Sequence, residues 1–233
     1  MSGILYGVGL GPGDPDLITV KSSWLISQAR VIAYPSLAGG ESFARSIAAD
    51  LISPDTEEIV MDVPMTVERA PAQAAYDIGA KNIAAVLDRG EDVVCLCEGD
   101  PFFYGSFMYL YARLVADYQV EVVPGVTSIT TCAARAGMPL AARNERLTVL
   151  PGPLPAEELR ARIEGAESVA IMKVGRHLSK IRAVIADLGL TDKAAYIERA
   201  SLPDELVCPL AQAPETAPYF SMIILTKGAD PWL

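Results

Sequence analysis

A chain of 233 residues that is 51% apolar and 21% charged is too apolar to be disordered and long enough for two domains. A net charge of −10 argues against the basic stripe that nucleic-acid phosphates require, yet a few local arginines could still hold an acidic small molecule. No run reaches the ~20 apolar residues of a membrane span, and the amino terminus lacks a charged segment leading into an apolar one, so a cytoplasmic protein with no membrane partner is expected.

The first apolar run, Ile4 to Val8, reads as a strand and ends in Gly9-Leu10-Gly11-Pro12-Gly13-Asp14-Pro15. Framed on Gly7 and Gly9, the third glycine of a dinucleotide fingerprint falls on Pro12, which has no N–H for a pyrophosphate, so a nucleotide-dependent oxidoreductase is disfavoured. A helix over Leu17 to Ala29 and a strand over Val31 to Tyr34 follow. Tyr76, Ala80, Ile83 and Leu87 then recur at helical spacing with Asp77, Lys81 and Asp88 opposite, predicting a surface helix. Strand Asp92 to Cys97 ends in a second Gly-Asp-Pro turn, Glu98-Gly99-Asp100-Pro101, before helix Ser106 to Ala116 and strand Val120 to Val123. This alternation predicts a parallel α/β sheet.

Beyond Pro124 the pattern restarts with a helix at Val126 to Ala136, an interruption at Pro151-Gly152-Pro153, a strand at Ser168 to Met172 and a helix faced by Ile181, Val184, Ile185 and Leu188. Ala194 to Glu198, Glu205 to Leu210 and Tyr219 to Thr226 are extended runs that suit a mixed sheet. The expected architecture is two α/β domains, 1–120 and 121–233, with a cleft between them. Cys95, Cys97, Cys132 and Cys208 lack disulfide or zinc spacing, and with His177 the sole histidine no metal is expected.

Two Gly-Asp-Pro turns at the carboxyl ends of neighbouring strands point to a bound small molecule with polar or positive groups. Each candidate residue also has an ordinary role. Asp14 and Asp100 could simply accept backbone N–H bonds within their turns, Pro12 could stiffen its loop, and Thr127 and Ser128 could cap a helix. Met172 and the aromatics Phe102, Phe103 and Tyr104 could be core, Lys173 and Arg176 exposed charges, and His177 a helix-end residue or a general base.

The ordered motifs Gly9-x-Gly-Pro-Gly-Asp-Pro15-x-Leu17-x-Thr19, Glu98-Gly-Asp-Pro101 and Val123-Pro-Gly-x-Thr-Ser128 resemble those of the tetrapyrrole methylases, which use S-adenosylmethionine. The resemblance runs from Ile4 to about Lys227. Ala33-Tyr-Pro35, Val63-Pro-Met-Thr66 and the stretch Glu98 to Tyr109 are most similar to the branch acting on C20 of precorrin-2. The resemblance implies a homodimer and a donor pocket drawing on Glu98, Gly99, Asp100, Phe103, Thr127, Ser128, Met172 and Ala200. Pro12, Asp14, Tyr104, Lys173 and Arg176 are then the candidates for contact with the tetrapyrrole.

Overall fold

The computed structural model describes residues 2–37, 40–64 and 69–228, so Met65 and Thr66 of the Val63-Pro-Met-Thr66 segment lie outside the described residues. The chain forms two compact units, Met1–Thr127 and Ser128–Leu233.

The N-terminal unit contains β1 (Ile4–Gly9), α1 (Val20–Gln28), β2 (Val31–Leu37), α2 (Phe43–Ile47), β3 (Glu57–Val63), α3 (Arg69–Asp88), β4 (Val93–Cys97), α4 (Phe107–Leu114) and β5 (Gln119–Val123). Its five strands run parallel in the order β3-β2-β4-β1-β5. The central β4 reads Val-Val-Cys-Leu-Cys, and none of these residues is more than 3% exposed, as a parallel strand covered on both faces requires. One face packs Tyr76, Ile83 and Leu87 of α3 with Phe107 and Leu110 of α4. The opposite face packs Leu25 and Ile26 of α1 with Ala44 and Ile47 of α2.

Sequence order and sheet order together place the site. The chain leaves β1 for β2 through α1 on one face, and leaves β4 for β5 through α4 on the other. Loops from two adjacent strands therefore part in opposite directions, which opens a crevice at their carboxyl ends.

The C-terminal unit contains α5 (Ser128–Ala136), β6 (Leu147–Pro151), α6 (Ala156–Glu164), β7 (Ser168–Met172), α7 (Leu178–Asp187), β8 (Ala194–Glu198), β9 (Leu206–Pro209) and β10 (Ser221–Thr226). The sheet order is β6-β7-β10-β8-β9, with β6 and β7 parallel and the other neighbours antiparallel. Leu159 and Ile163 of α6 and Ile181, Val184 and Ile185 of α7 cover one face. Ile129 and Cys132 of α5 cover the other.

The structure corrects several expectations. The helix does not start at Leu17, because Pro15–Leu17 is a single 3₁₀ turn, Ile18 is extended, and Thr19 caps α1 by accepting the Ser22 N–H at 3.2 Å. The boundary falls later than residue 120, since β5 pairs with β1 along its length and belongs wholly to the first sheet. Strands β3 and β6 and helix α6 were not expected from the sequence. In β3 only Ile59 and Met61 are buried among exposed carboxylates, as an edge strand allows, and this leaves a weak apolar signal.

Candidate functional site

In the N-terminal unit the three glycine-bearing turns that the motifs singled out meet. Gly11 and Gly99 form an isolated antiparallel bridge, the Gly99 N–H donating to Gly11 O at 2.8 Å and the Gly11 N–H to Gly99 O at 3.2 Å. Just below it, a Cβ on Gly9 would stand 2.5 Å from Gly125 Cα and 2.7 Å from Gly99 O, and one on Gly125 would stand 2.8 Å from Gly9 Cα. These loops touch backbone to backbone, which only glycine permits. Gly7, one turn of the pleat earlier, leaves its space to the Phe107 ring. The first glycines of the apparent nucleotide fingerprint thus serve packing.

Asp100 fastens this junction. Its Oδ1 accepts the Phe102 N–H at 2.9 Å and its Oδ2 accepts the Gly125 N–H at 3.0 Å, so the turn after β4 is tied to the turn after β5. Asp14 repeats the first bond, accepting the Asp16 N–H at 2.9 Å. Both aspartates fill the turn role open to them in the sequence.

Gly99 differs from its neighbours. Its φ is +64°, where a β-branched residue is an outlier, yet a Cβ there would meet nothing within 4 Å. The strain of a substitution would come from the backbone, while the side chain would enter open space. Phe103 and Tyr104, 36% and 44% exposed, follow this turn with their rings edge to face at 5.2 Å, so neither is core. Half-buried Glu98 receives a hydrogen bond from the Ala44 backbone, and burial lifts its carboxyl above the usual carboxylate range. Thr127 directly precedes α5 and Ser128 is its first residue.

In the C-terminal unit, Met172 is the half-buried last residue of β7 and Ala200 lies buried two residues past β8. Strands β7 and β8 each run antiparallel to β10, so their carboxyl ends lie along one edge of the sheet. Backbone strain gathers there: Lys173, Arg199 and Ser201 have φ of +57°, +49° and +72°. In the N-terminal unit Tyr104, past the end of β4, is also left-handed, at +56°. Such residues cost about 1–3 kcal/mol each and persist where surrounding structure forces them, commonly at binding sites. The sequence carries no mark of these left-handed positions, although Lys173 is a candidate there for its charge and Tyr104 for its aromatic ring.

Three further charged or titratable side chains follow the carboxyl end of β7. Lys180 of α7 donates to Gly152 O at 2.9 Å and also to Leu154 O, holding the Pro151-Gly152-Pro153 loop, and burial lowers its ammonium. Arg176 is exposed, and His177 lies half-buried beside it at the start of α7. Burial first, then the charges of Lys180 and Arg176, lowers the His177 imidazole below its ordinary value, which favours the neutral form at pH 7. The buried thiols of Cys97 and Cys132 are pushed up to about 11 and about 12 by burial, which removes them as nucleophiles.

A parallel sheet with interlocked glycine turns at its carboxyl edge is thus followed in the chain by a mixed sheet carrying strained turns. The chain belongs to the tetrapyrrole (corrin/porphyrin) methylases, whose family model matches residues 4–214. Within that family it is 41% identical to the precorrin-2 C(20)-methyltransferase of Sinorhizobium sp., covering 99% of each chain. It is 32% identical to the cobalt-precorrin-2 C(20)-methyltransferase of Salmonella typhimurium strain LT2, covering 97% of this chain and 98% of that one. Among solved structures, uroporphyrin-III C-methyl transferase from Thermus thermophilus complexed with S-adenyl homocysteine superposes with a TM-score of 0.68 over 95% of this chain and 97% of that one. At 24% identity this last likeness establishes the fold.

Proposed function

We propose that the protein transfers the methyl group of S-adenosylmethionine to C20 of precorrin-2, giving precorrin-3A in cobalamin biosynthesis. The observation that carries the reading is the 41% identity, over 99% of both chains, to a precorrin-2 C(20)-methyltransferase. A metal-free substrate is preferred because the relative named for the cobalt-loaded one is less similar, at 32%.

In the N-terminal unit the donor is assigned to the backbone of Gly99 and Asp100, with Glu98, Phe103 and Thr127. The space in front of Gly99, which a Cβ would enter unopposed, and the exposed Phe103 ring fit a ligand laid against the turn. In the C-terminal unit the donor is assigned to Ser128, Met172 and Ala200. Pro12, Asp14, Tyr104, Lys173 and Arg176 are assigned to the tetrapyrrole, the last two for its acidic side chains.

When bound, the donor supplies a sulfonium-activated methyl group to an electron-rich meso carbon. The residues of the site have to orient and desolvate rather than activate, and alignment of this kind supplies about 7–11 kcal/mol. The meso carbon then loses one proton, and we assign no protein side chain as its obligatory acceptor. We further propose a cytoplasmic homodimer, in keeping with the exposed Tyr219 and Phe220 beside β10.

Titration with S-adenosylhomocysteine tests the reading. Ligand at 100 times its dissociation constant should add about 2.7 kcal/mol of stability. No thermal shift would overturn the proposal, and a larger shift with NAD would favour an oxidoreductase.

A further inference from the structure

Ala200 presents a puzzle that its surroundings answer. Its methyl group is buried in the cluster that contains Ile129 and Cys132 of α5, so what it can offer a ligand is its peptide groups. Their direction depends on the left-handed residues on either side, Arg199 and Ser201. Such a turn keeps its shape only if something outside it fixes the backbone.

The restraint on Ser201 is Glu205. Its side chain is 12% exposed, and its Oε2 accepts the Ser201 N–H at 2.6 Å. Arg135, in the last turn of α5, donates from Nε to Oε1 at 2.7 Å and to Oε2 at 2.9 Å. A largely buried carboxylate needs such a partner, and its charge strengthens the bond to the Ser201 N–H. The loop between closes on itself, with Leu202 N–H donating to Arg199 O at 2.9 Å and Glu205 N–H to Leu202 O at 3.1 Å. The Arg199 N–H is held separately by Phe220 O at 2.9 Å. One ion pair thus ties the Ala200 turn to α5, the helix that Ser128 begins.

We propose that Glu205, anchored by Arg135, is a positioning residue that sets the Arg199-Ala200-Ser201 turn in its donor-binding shape. This rests on the reading above that Ala200 meets the donor. Neither Glu205 nor Arg135 lies in the three motifs, and neither contacts the donor itself in this proposal.

The test compares the parent with Glu205→Ala, Glu205→Gln, Arg135→Met and the double variant Arg135→Met/Glu205→Ala. Affinity for S-adenosylhomocysteine and steady-state KM values for donor and tetrapyrrole are measured for each. Glu205→Ala should weaken S-adenosylhomocysteine about tenfold and raise the donor KM alike, leaving the tetrapyrrole KM and the kcat at saturating donor near the parent values. Glu205→Gln retains an oxygen for the Ser201 N–H and should recover part of the loss. Adding Arg135→Met to Glu205→Ala should add little, because both act through one contact. If Glu205→Ala fails to fold, Glu205→Gln and Arg135→Met carry the same comparison. Parent-like donor binding in every folded variant, or an equal rise in both KM values, would overturn the clasp alone. Failure of the parent itself to bind S-adenosylhomocysteine would overturn the site reading and the clasp together.

Discussion

Replacing Gly9 by alanine tests whether the glycine junction works through close backbone approach. The new Cβ would stand 2.5 Å from both Gly125 Cα and Gly125 N and 2.7 Å from Gly99 O. Carbon atoms in contact prefer about 3.5–4.0 Å, so the turns after β1 and β5 must part by about 1 Å. None of the obstructing atoms belongs to a side chain that could rotate away. Overpacking of this kind costs about 1–3 kcal/mol, which for a chain of this size lowers the melting temperature by about 2–12 °C. Donor affinity should fall as well, because Gly99 is displaced. Gly99→Ala is the contrasting control: its Cβ meets nothing within 4 Å and only its φ of +64° opposes the change, at a cost of about 1–2 kcal/mol. Thermal melts and calorimetric titration with S-adenosylhomocysteine read both quantities. A Gly9→Ala protein that melts within 1 °C of the parent and binds the ligand equally well would refute the reasoning.

Gly99→Val should abolish donor binding in a folded protein, since the side chain would fill the open space at the turn; normal affinity by calorimetry would move the site elsewhere. His177→Ala should keep most of its turnover, whereas removal of a rate-limiting general base would cost a factor of about 100 or more. Rates across pH 6 to 9 decide this, and a hundredfold loss with one limb of the profile gone would make His177 the base. Burial raises the Glu98 carboxyl above its ordinary 4.5, so the folded protein favours the protonated acid. That contribution is full below pH 4.5 and lost as pH rises through the folded value. Glu98→Gln should therefore melt above the parent at pH 7, the gain fading toward pH 4, and a difference independent of pH would contradict this account.

Much of the fold is legible because its signals are local. The buried run Val93 to Cys97 and the helical spacing of Tyr76, Ala80, Ile83 and Leu87 each state their element without reference to distant residues. The edge strand β3 and the polar helix α6 bury too few side chains to show such a pattern. The glycine turns are equally visible as motifs, but that Gly9, Gly99 and Gly125 touch depends on β4 and β5 flanking β1, which no spacing along the chain encodes. The left-handed Lys173, Arg199 and Ser201 carry side chains that give no hint of their backbone. The Glu205–Arg135 tie spans 70 positions and looks in the sequence like two surface charges.

The central claim is the position methylated. Incubation with precorrin-2 and S-adenosylmethionine carrying a ¹³C-labelled methyl group, with and without cobalt in the macrocycle, followed by NMR of the product, locates the new carbon directly. The account predicts a single label at C20 of the metal-free substrate. A label at C2, C7, C11 or C17, or none at all, would contradict it.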